Sequence, residues 1–237
     1  IFIPEGAVTT GYFIDETALV FSLEPDATLV AASSQVRRAS GAVVPLVLDG
    51  KRLELQSISI DGEVLASNAY SAEPDKLTIY APPPSFRLDI VTRIAPAANT
   101  ALEGLYMSAG RFCTQCEAEG FRAITYFLDR PDVLARYAVR IEADKEKYPT
   151  LLSNGNLTET GDMEGGRHYA VWVDPYLKPS YLFALVAGRY DSIADDFATM
   201  SGRTVTAAIP VAPGDAERAR YAMDGLRRAM TWDEDAF

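Results

Sequence analysis

The sequence predicts an all-β body with one helix trailing from it, and three features carry that expectation. Short β-rich runs bounded by Gly, Pro, Asp and Asn recur along most of the chain. Residues 53–60 alternate apolar and polar side chains and lead into Asp61-Gly62. Only residues 217–230 place apolar side chains at helical spacing. The first strands are expected over 18–23, 28–36 and 46–48. Asp-Gly supplies the positive φ angles of a type I′ turn, so 53–60 should fold back through Glu63, Val64 and Leu65 as a hairpin. Strands over 77–80 and 86–94 follow, divided by Pro82, Pro83 and Pro84, which lack the amide hydrogen of a sheet ladder. Later strands are expected over 137–143, 150–152, 168–173, 181–190 and 204–209. Pro213-Gly214-Asp215 then starts the helix, with Ala219, Ala222, Met223, Leu226, Ala229 and Met230 on its apolar face.

The chain has 237 residues, which suits one large domain or two small ones of roughly 100–200 residues. Apolar residues make up 48% and charged residues 23%, enough to bury a sizeable core. Against 33 Asp and Glu stand 22 Lys and Arg, a formal net charge of -11. Phosphate backbones would repel such a chain, so nucleic acid is not an expected partner. The longest strongly apolar run, 181–188, falls far short of the ~20 residues of a membrane span, and no membrane partner is expected. Ile1 opens the chain without an initiator Met or a signal-peptide core. Residues 231–237 follow a helical pattern with no capping Gly, so both ends are expected to be cuts in something longer. Without a secretion signal and with two cysteines, a reducing compartment, the cytoplasm, is expected. Asn156-Leu157-Thr158 matches a glycosylation acceptor, which matters only in a secreted protein.

Several chemistries lack their residues. There is no Gly-rich dinucleotide fingerprint, no Walker loop and no Gly-x-Ser-x-Gly elbow. His168, the one histidine, lies in an alternating run beside Tyr169 and Trp172 and cannot supply a two-histidine zinc site. Cys113 and Cys116 have the Cys-x-x-Cys spacing of redox centres and of half a zinc knuckle. A knuckle needs a second pair, which the chain does not hold, and a thioredoxin-like centre needs a βαβ context that an all-β pattern does not offer.

Residues 102–136 carry the most information. Residues 97–106 read Ala-Ala-Asn-Thr-Ala-Leu-Glu-Gly-Leu-Tyr, and 114–122 read Thr-Gln-Cys-Glu-Ala-Glu-Gly-Phe-Arg. Residues 128–136 continue as Leu-Asp-Arg-Pro-Asp-Val-Leu-Ala-Arg. With 151–156, 181–188 and Trp232-Asp233-Glu234, this resembles the N-terminal part of bacterial zinc-dependent alanyl aminopeptidases, within the gluzincin metallopeptidases. The resemblance covers essentially the whole chain and is weakest before about Thr92. The wider pattern of the family the chain resembles, Gln-x-Glu, an Arg five positions after that Glu, then Asp-x-x-Pro or Asp-x-Pro, falls here on Gln115, Glu117, Arg122, Asp129 and Pro131.

The resemblance implies a saddle-shaped, multi-stranded β domain of antiparallel, sandwich-like sheets over residues 1–190. It implies that 191–237 are the opening strands and helix of a truncated catalytic domain. Gln115 and Glu117 are implied to bind the free α-amino group of peptide substrates, across a boundary with that catalytic domain in cis. The chemistry is consistent. A peptide amine has a pKa near ~8 and is largely cationic at neutral pH, and carboxylate and amide oxygens make charge-assisted hydrogen bonds to it. The family's zinc motif, His-Glu-x-x-His with a later Glu, and its Gly-Ala-Met-Glu-Asn loop are absent from these 237 residues. The chain alone is therefore expected to hold no catalytic residue, no metal ligand and no zinc, and to be inactive, zinc belonging to the full-length protein. The helix face 219–230, meant to pack on the missing part, is expected to be exposed. Two other readings are a non-catalytic relative whose β domain is an interaction platform, and a Cys-x-x-Cys oxidoreductase with a low thiol pKa.

Overall fold

The computed structural model describes residues 11–39, 41 and 43–237. It divides into two compact units that meet between Ala187 and Gly188. The first strands in chain order are β1 (Tyr12–Ser22), β2 (Thr28–Arg38), β3 (Leu46–Asp49), β4 (Glu54–Ile60), β5 (Glu63–Val64), β6 (Tyr70–Ala72), β7 (Lys76–Ile79) and β8 (Ser85–Ile94). Then come β9 (Gly104–Ser108), β10 (Arg111–Gln115), β11 (Leu134–Asp144), β12 (Thr150–Ser153), β13 (Asn156–Asp162), β14 (Arg167–Pro179) and β15 (Leu185–Gly188). The second unit holds β16 (Asp191–Ala198), β17 (Thr204–Val211) and α1 (Arg220–Ala236).

Eight strands form one sheet in the order β13-β14-β11-β1-β2-β8-β4-β5. β1 and β11 run parallel, with Glu16 opposite Arg136 and Ser22 opposite Glu142. Every other neighbouring pair in this sheet is antiparallel. Period-two patterning decides which face turns inward. In β8, Phe86, Leu88, Ile90, Thr92 and Ile94 are buried while Ser85, Arg87 and Arg93 face water. Two smaller sheets, β12-β15-β10-β9 and β3-β7-β6, complete the core. Leu46, Leu77, Phe112 and Leu185 from them join Phe21, Val30, Ile90 and Ile141 of the large sheet in one hydrophobic cluster.

The Asp61-Gly62 hairpin forms as the sequence predicts. Asp61 and Gly62 have φ of 51° and 89°, the two positive values a type I′ turn requires. Ile60 pairs with Glu63 across it. The run expected as one strand over 181–190 does not form as such. A 3-10 turn occupies Ser180–Leu182, and only Leu185–Gly188 is strand. The Asn154 side chain accepts from Ala184 N at 2.7 Å and donates to Leu182 O at 3.1 Å, occupying backbone groups that a ladder would use. Strands β6, β9, β10, β13 and β16 lie outside the expected runs. β13, Asn-Leu-Thr-Glu-Thr-Gly-Asp, is almost wholly exposed and so has no apolar face to announce it.

In the second unit β16 and β17 pair from Asp191 opposite Val211 to Ala198 opposite Thr204. α1 is tied to this hairpin by Arg227–Asp195 at 2.6 Å and by Met200 N donating to Glu234 at 3.1 Å. The helix extends past the expected 230 to Ala236. Met223 and Ala219 are buried, whereas Ala222, Leu226 and Ala229 are exposed, so the apolar face is uncovered only in part.

Candidate functional site

The site begins with a hairpin. Ala109 and Gly110, with φ of 48° and 75°, turn β9 into β10, and the register runs from Arg111 opposite Ser108 to Gln115 opposite Gly104. The fully buried Phe112 ring, opposite Ala187 of β15, drives β10 into the core. Thr114 reinforces the pairing: its Oγ1 accepts from Leu185 N at 2.8 Å and donates to Leu185 O at 3.1 Å. Gln115 is therefore the last residue of a strand fixed on both sides, with its own side chain exposed.

The chain then makes a tight excursion and returns. Gly120 N donates to Cys116 O at 2.8 Å, and a 3-10 turn over Phe121–Ala123 follows. A Cβ on Gly120 would lie 2.3 Å from Gln115 O, so only glycine lets the returning backbone pass so close. Gly120→Ala is expected to cost about 1–3 kcal/mol of stability through forced overpacking; an unchanged unfolding midpoint would reject this. Glu117 and Glu119 lie exposed on the excursion, and the Glu117–Ala118 peptide is cis. Gln115 Nε2 donates to Glu117 O at 3.1 Å, which links the two predicted site residues directly. Among the described residues neither Gln115 Oε1 nor the Glu117 carboxylate has a hydrogen-bond partner. The pair presents acceptor oxygens to the outside.

Beside it lies an ionic network centred on the buried Asp129. Asp129, 1% exposed, accepts at Oδ2 from Arg122 N at 3.1 Å and Arg122 Nε at 3.0 Å, and at Oδ1 from Ser180 Oγ at 2.6 Å. Its carbonyl accepts from Arg122 Nη2 at 2.9 Å, and its amide donates to Asp49 Oδ2 at 3.2 Å. Arg122 Nη1 also reaches Glu119 at 3.2 Å. Burial alone would lower the Arg122 guanidinium pKa; its bond to Asp129 and the charges of Asp49, Asp129 and Glu119 outweigh that and raise it. Burial pushes the Asp49 carboxyl above its ordinary value, with Arg122 pulling the other way. Arg122 and Asp129 belong to the motif read from sequence. Ser180 and Asp49, 51 and 80 positions from Asp129, carry no local signal that could have placed them here.

The peptidase M1 N-terminal domain model matches residues 18–182, which include the hairpin, the excursion and Ser180. The chain belongs to the peptidase M1 N-terminal domain family. Aminopeptidase N of Caulobacter vibrioides is 59% identical over 226 residues, 95% of this chain and 26% of that protein. Aminopeptidase N of Escherichia coli is 50% identical, with the same coverage. The chain thus spans about a quarter of the length of the curated relatives it matches. Legionella pneumophila aminopeptidase A, solved in complex with aspartic acid, superposes with a TM-score of 0.92 at 34% identity, covering 98% of this chain and 28% of that one.

His168 and the two cysteines, the other sequence candidates in this M1 N-terminal domain, make no hydrogen bond to Gln115 or Glu117 among the described residues. His168 Nε2 is 2.8 Å from Tyr148 O, a backbone contact within the fold. Among the described residues no three His, Cys, Asp or Glu side chains are grouped to hold a metal ion. Cys113 and Cys116 are unbridged. Burial, aided by the charge of Asp129, pushes the Cys116 thiol up to about 12, and burial raises Cys113 as well. Thiolate chemistry needs the opposite shift. At pH 8 native Cys116 is expected to react with iodoacetamide at least about a hundredfold more slowly than a free thiol of ordinary pKa near 8.5. Labelling at the free-thiol rate would restore the oxidoreductase reading.

Proposed function

We propose that this domain binds the free α-amino group of peptide substrates, through Glu117 and Gln115, for a zinc aminopeptidase of which it is the N-terminal part. The observation that carries the reading is the outward-facing Gln115–Glu117 pair, held at a strand end and linked by the Gln115 Nε2 bond at 3.1 Å. A cationic amine offers three N–H donors to such acceptors, and charge-assisted bonds to it are the strong class. An acceptor set placed one residue beyond the scissile bond makes an enzyme count from the N-terminus. The identity to proteins named aminopeptidase N, over nearly the whole chain, supports the substrate class.

The described residues do not fit a zinc site, since they offer no grouped ligand set and their histidine is engaged with Tyr148 O. In this reading zinc and its ligands belong to the remaining sequence of the full-length protein. Residues 1–190 are then the amine-binding β domain and 191–237 the start of the catalytic domain, its partner in cis. The free thiols support a reducing, cytoplasmic setting. Two experiments test the proposal. The isolated 237 residues are expected to hydrolyse no alanyl anilide and to retain no stoichiometric zinc after dialysis; steady hydrolysis that survives purification would overturn this. In the full-length protein, removing the Glu117 charge must raise KM, and an unchanged KM rejects the amine role.

A further inference from the structure

We infer that Ser180 and Asp129 are positioning residues for the amine-binding pair, a step that rests on the reading of Glu117 given above. The geometry is a circuit around the excursion made of hydrogen bonds, one surface ion pair and the chain between Ser180 and Leu185. On one side, Thr114 Oγ1 holds the end of β10 to Leu185, the first residue of β15, with both contacts at 3.1 Å or less. On the other side, the Ser180 hydroxyl, five residues before Leu185, donates to Asp129 Oδ1 at 2.6 Å. Asp129 Oδ2 holds Arg122 through both its backbone amide and its Nε, and Arg122 Nη1 holds Glu119 at 3.2 Å. Thr114 and Glu119 thus pin the chain on either side of residues 115–118, and both pins lead to the 180–185 segment.

Ser180 and Asp129 are each 1% exposed, so neither can touch a substrate. What they control is where the excursion sits. Arg122 O also accepts from Lys51 N at 2.8 Å, and Asp129 N donates to Asp49, so the same network is moored to β3 and the residues after it. Losing the Ser180 bond leaves β10 paired and Arg122 moored to Lys51, but removes the tie between the far side of the excursion and the 180–185 segment, so that side can shift. Displacements of about 1 Å cost up to roughly a hundredfold where geometry governs reactivity. The loss here falls on substrate binding.

The test uses the full-length protein and amino-acid anilides. Ser180→Ala removes one hydroxyl, and Asp129→Asn keeps the shape while removing the charge. Each is expected to raise KM by about tenfold with kcat within about twofold. In a Glu117→Gln background the Ser180→Ala effect on KM should vanish, because its target is already gone. A merely structural role would lower the active fraction, and so the apparent kcat, without moving KM. If Glu117→Gln raises KM but Ser180→Ala and Asp129→Asn leave it unchanged, positioning is rejected and the amine reading stands. A Ser180→Ala effect undiminished in the Glu117→Gln background also rejects it. If Glu117→Gln itself leaves KM unchanged, the amine reading fails and this inference with it. Should Asp129→Asn not fold, the Ser180→Ala cycle decides alone.

Discussion

Glu117→Gln in the full-length protein is expected to raise KM for amino-acid anilides by about 30-fold or more. The substitution preserves the volume and one acceptor oxygen of the side chain and removes its charge. A bound substrate would cover the exposed carboxylate and its amine together, and losing one partner of such a desolvated charged contact costs on the order of 2–5 kcal/mol. At about 1.4 kcal/mol per tenfold, the lower end already gives about 30-fold. A competitive inhibitor lacking an α-amine should bind wild type and variant alike. Equal losses for inhibitors with and without the amine would point to a collapsed excursion in place of a lost ammonium contact. Gln115 contributes an uncharged acceptor to the same ammonium, and its loss should cost less, because it removes a charge–dipole contact where the Glu117 substitution removes a charge–charge one.

Phe121→Ala is expected to destabilise the first unit by about 3–5 kcal/mol, the cost of emptying a buried aromatic site. Phe121 is fully buried at the start of the 3-10 turn that closes the excursion. Its ring meets Phe127 at 4.9 Å and Phe183 at 5.3 Å, both edge-on, and Tyr137 at 6.1 Å. Edge-to-face pairs add about 0.5–1.5 kcal/mol beyond area burial, and three partners would lose theirs together. The measurement is the denaturant midpoint of the unit holding Phe121, read at unchanged slope. A loss below about 1 kcal/mol would mean that the cluster collapses onto the vacated space. Phe183 comes from the 180–185 segment, so the aromatic cluster and the Ser180–Asp129 bond tie the same two pieces of chain by different physics.

Where an apolar stripe or a committed turn announced it, the fold was legible from residues alone. Asp61-Gly62 is the clearest instance, since its two positive φ angles are a local property of those residues. The 217–230 periodicity likewise foretold α1, although the helix runs on through Trp232 to Ala236 without a stop signal. The motif residues Gln115, Glu117, Arg122 and Asp129 were all found by resemblance, and the structure joins them in pairs, Gln115 to Glu117 and Arg122 to Asp129. Exposed strands such as β13 were illegible, because a strand with no buried face carries no alternation.

The sequence by itself determined the β-rich class, the late helix, the net negative charge and the family, because each depends on residue type, local periodicity or long runs of matching residues. Only the tertiary structure decided what holds the candidate site in place. Ser180 meets Asp129 across 51 positions, Thr114 meets Leu185 across 71, and Asp49 meets Asp129 across 80. Such contacts exist only after the sheets have paired and brought the segments together. Hydroxyl and carboxylate side chains are common in any sequence. Burial at 1% exposure with a partner at 2.6 Å is what separates Ser180 and Asp129 from the rest, and burial is a property of the packed chain.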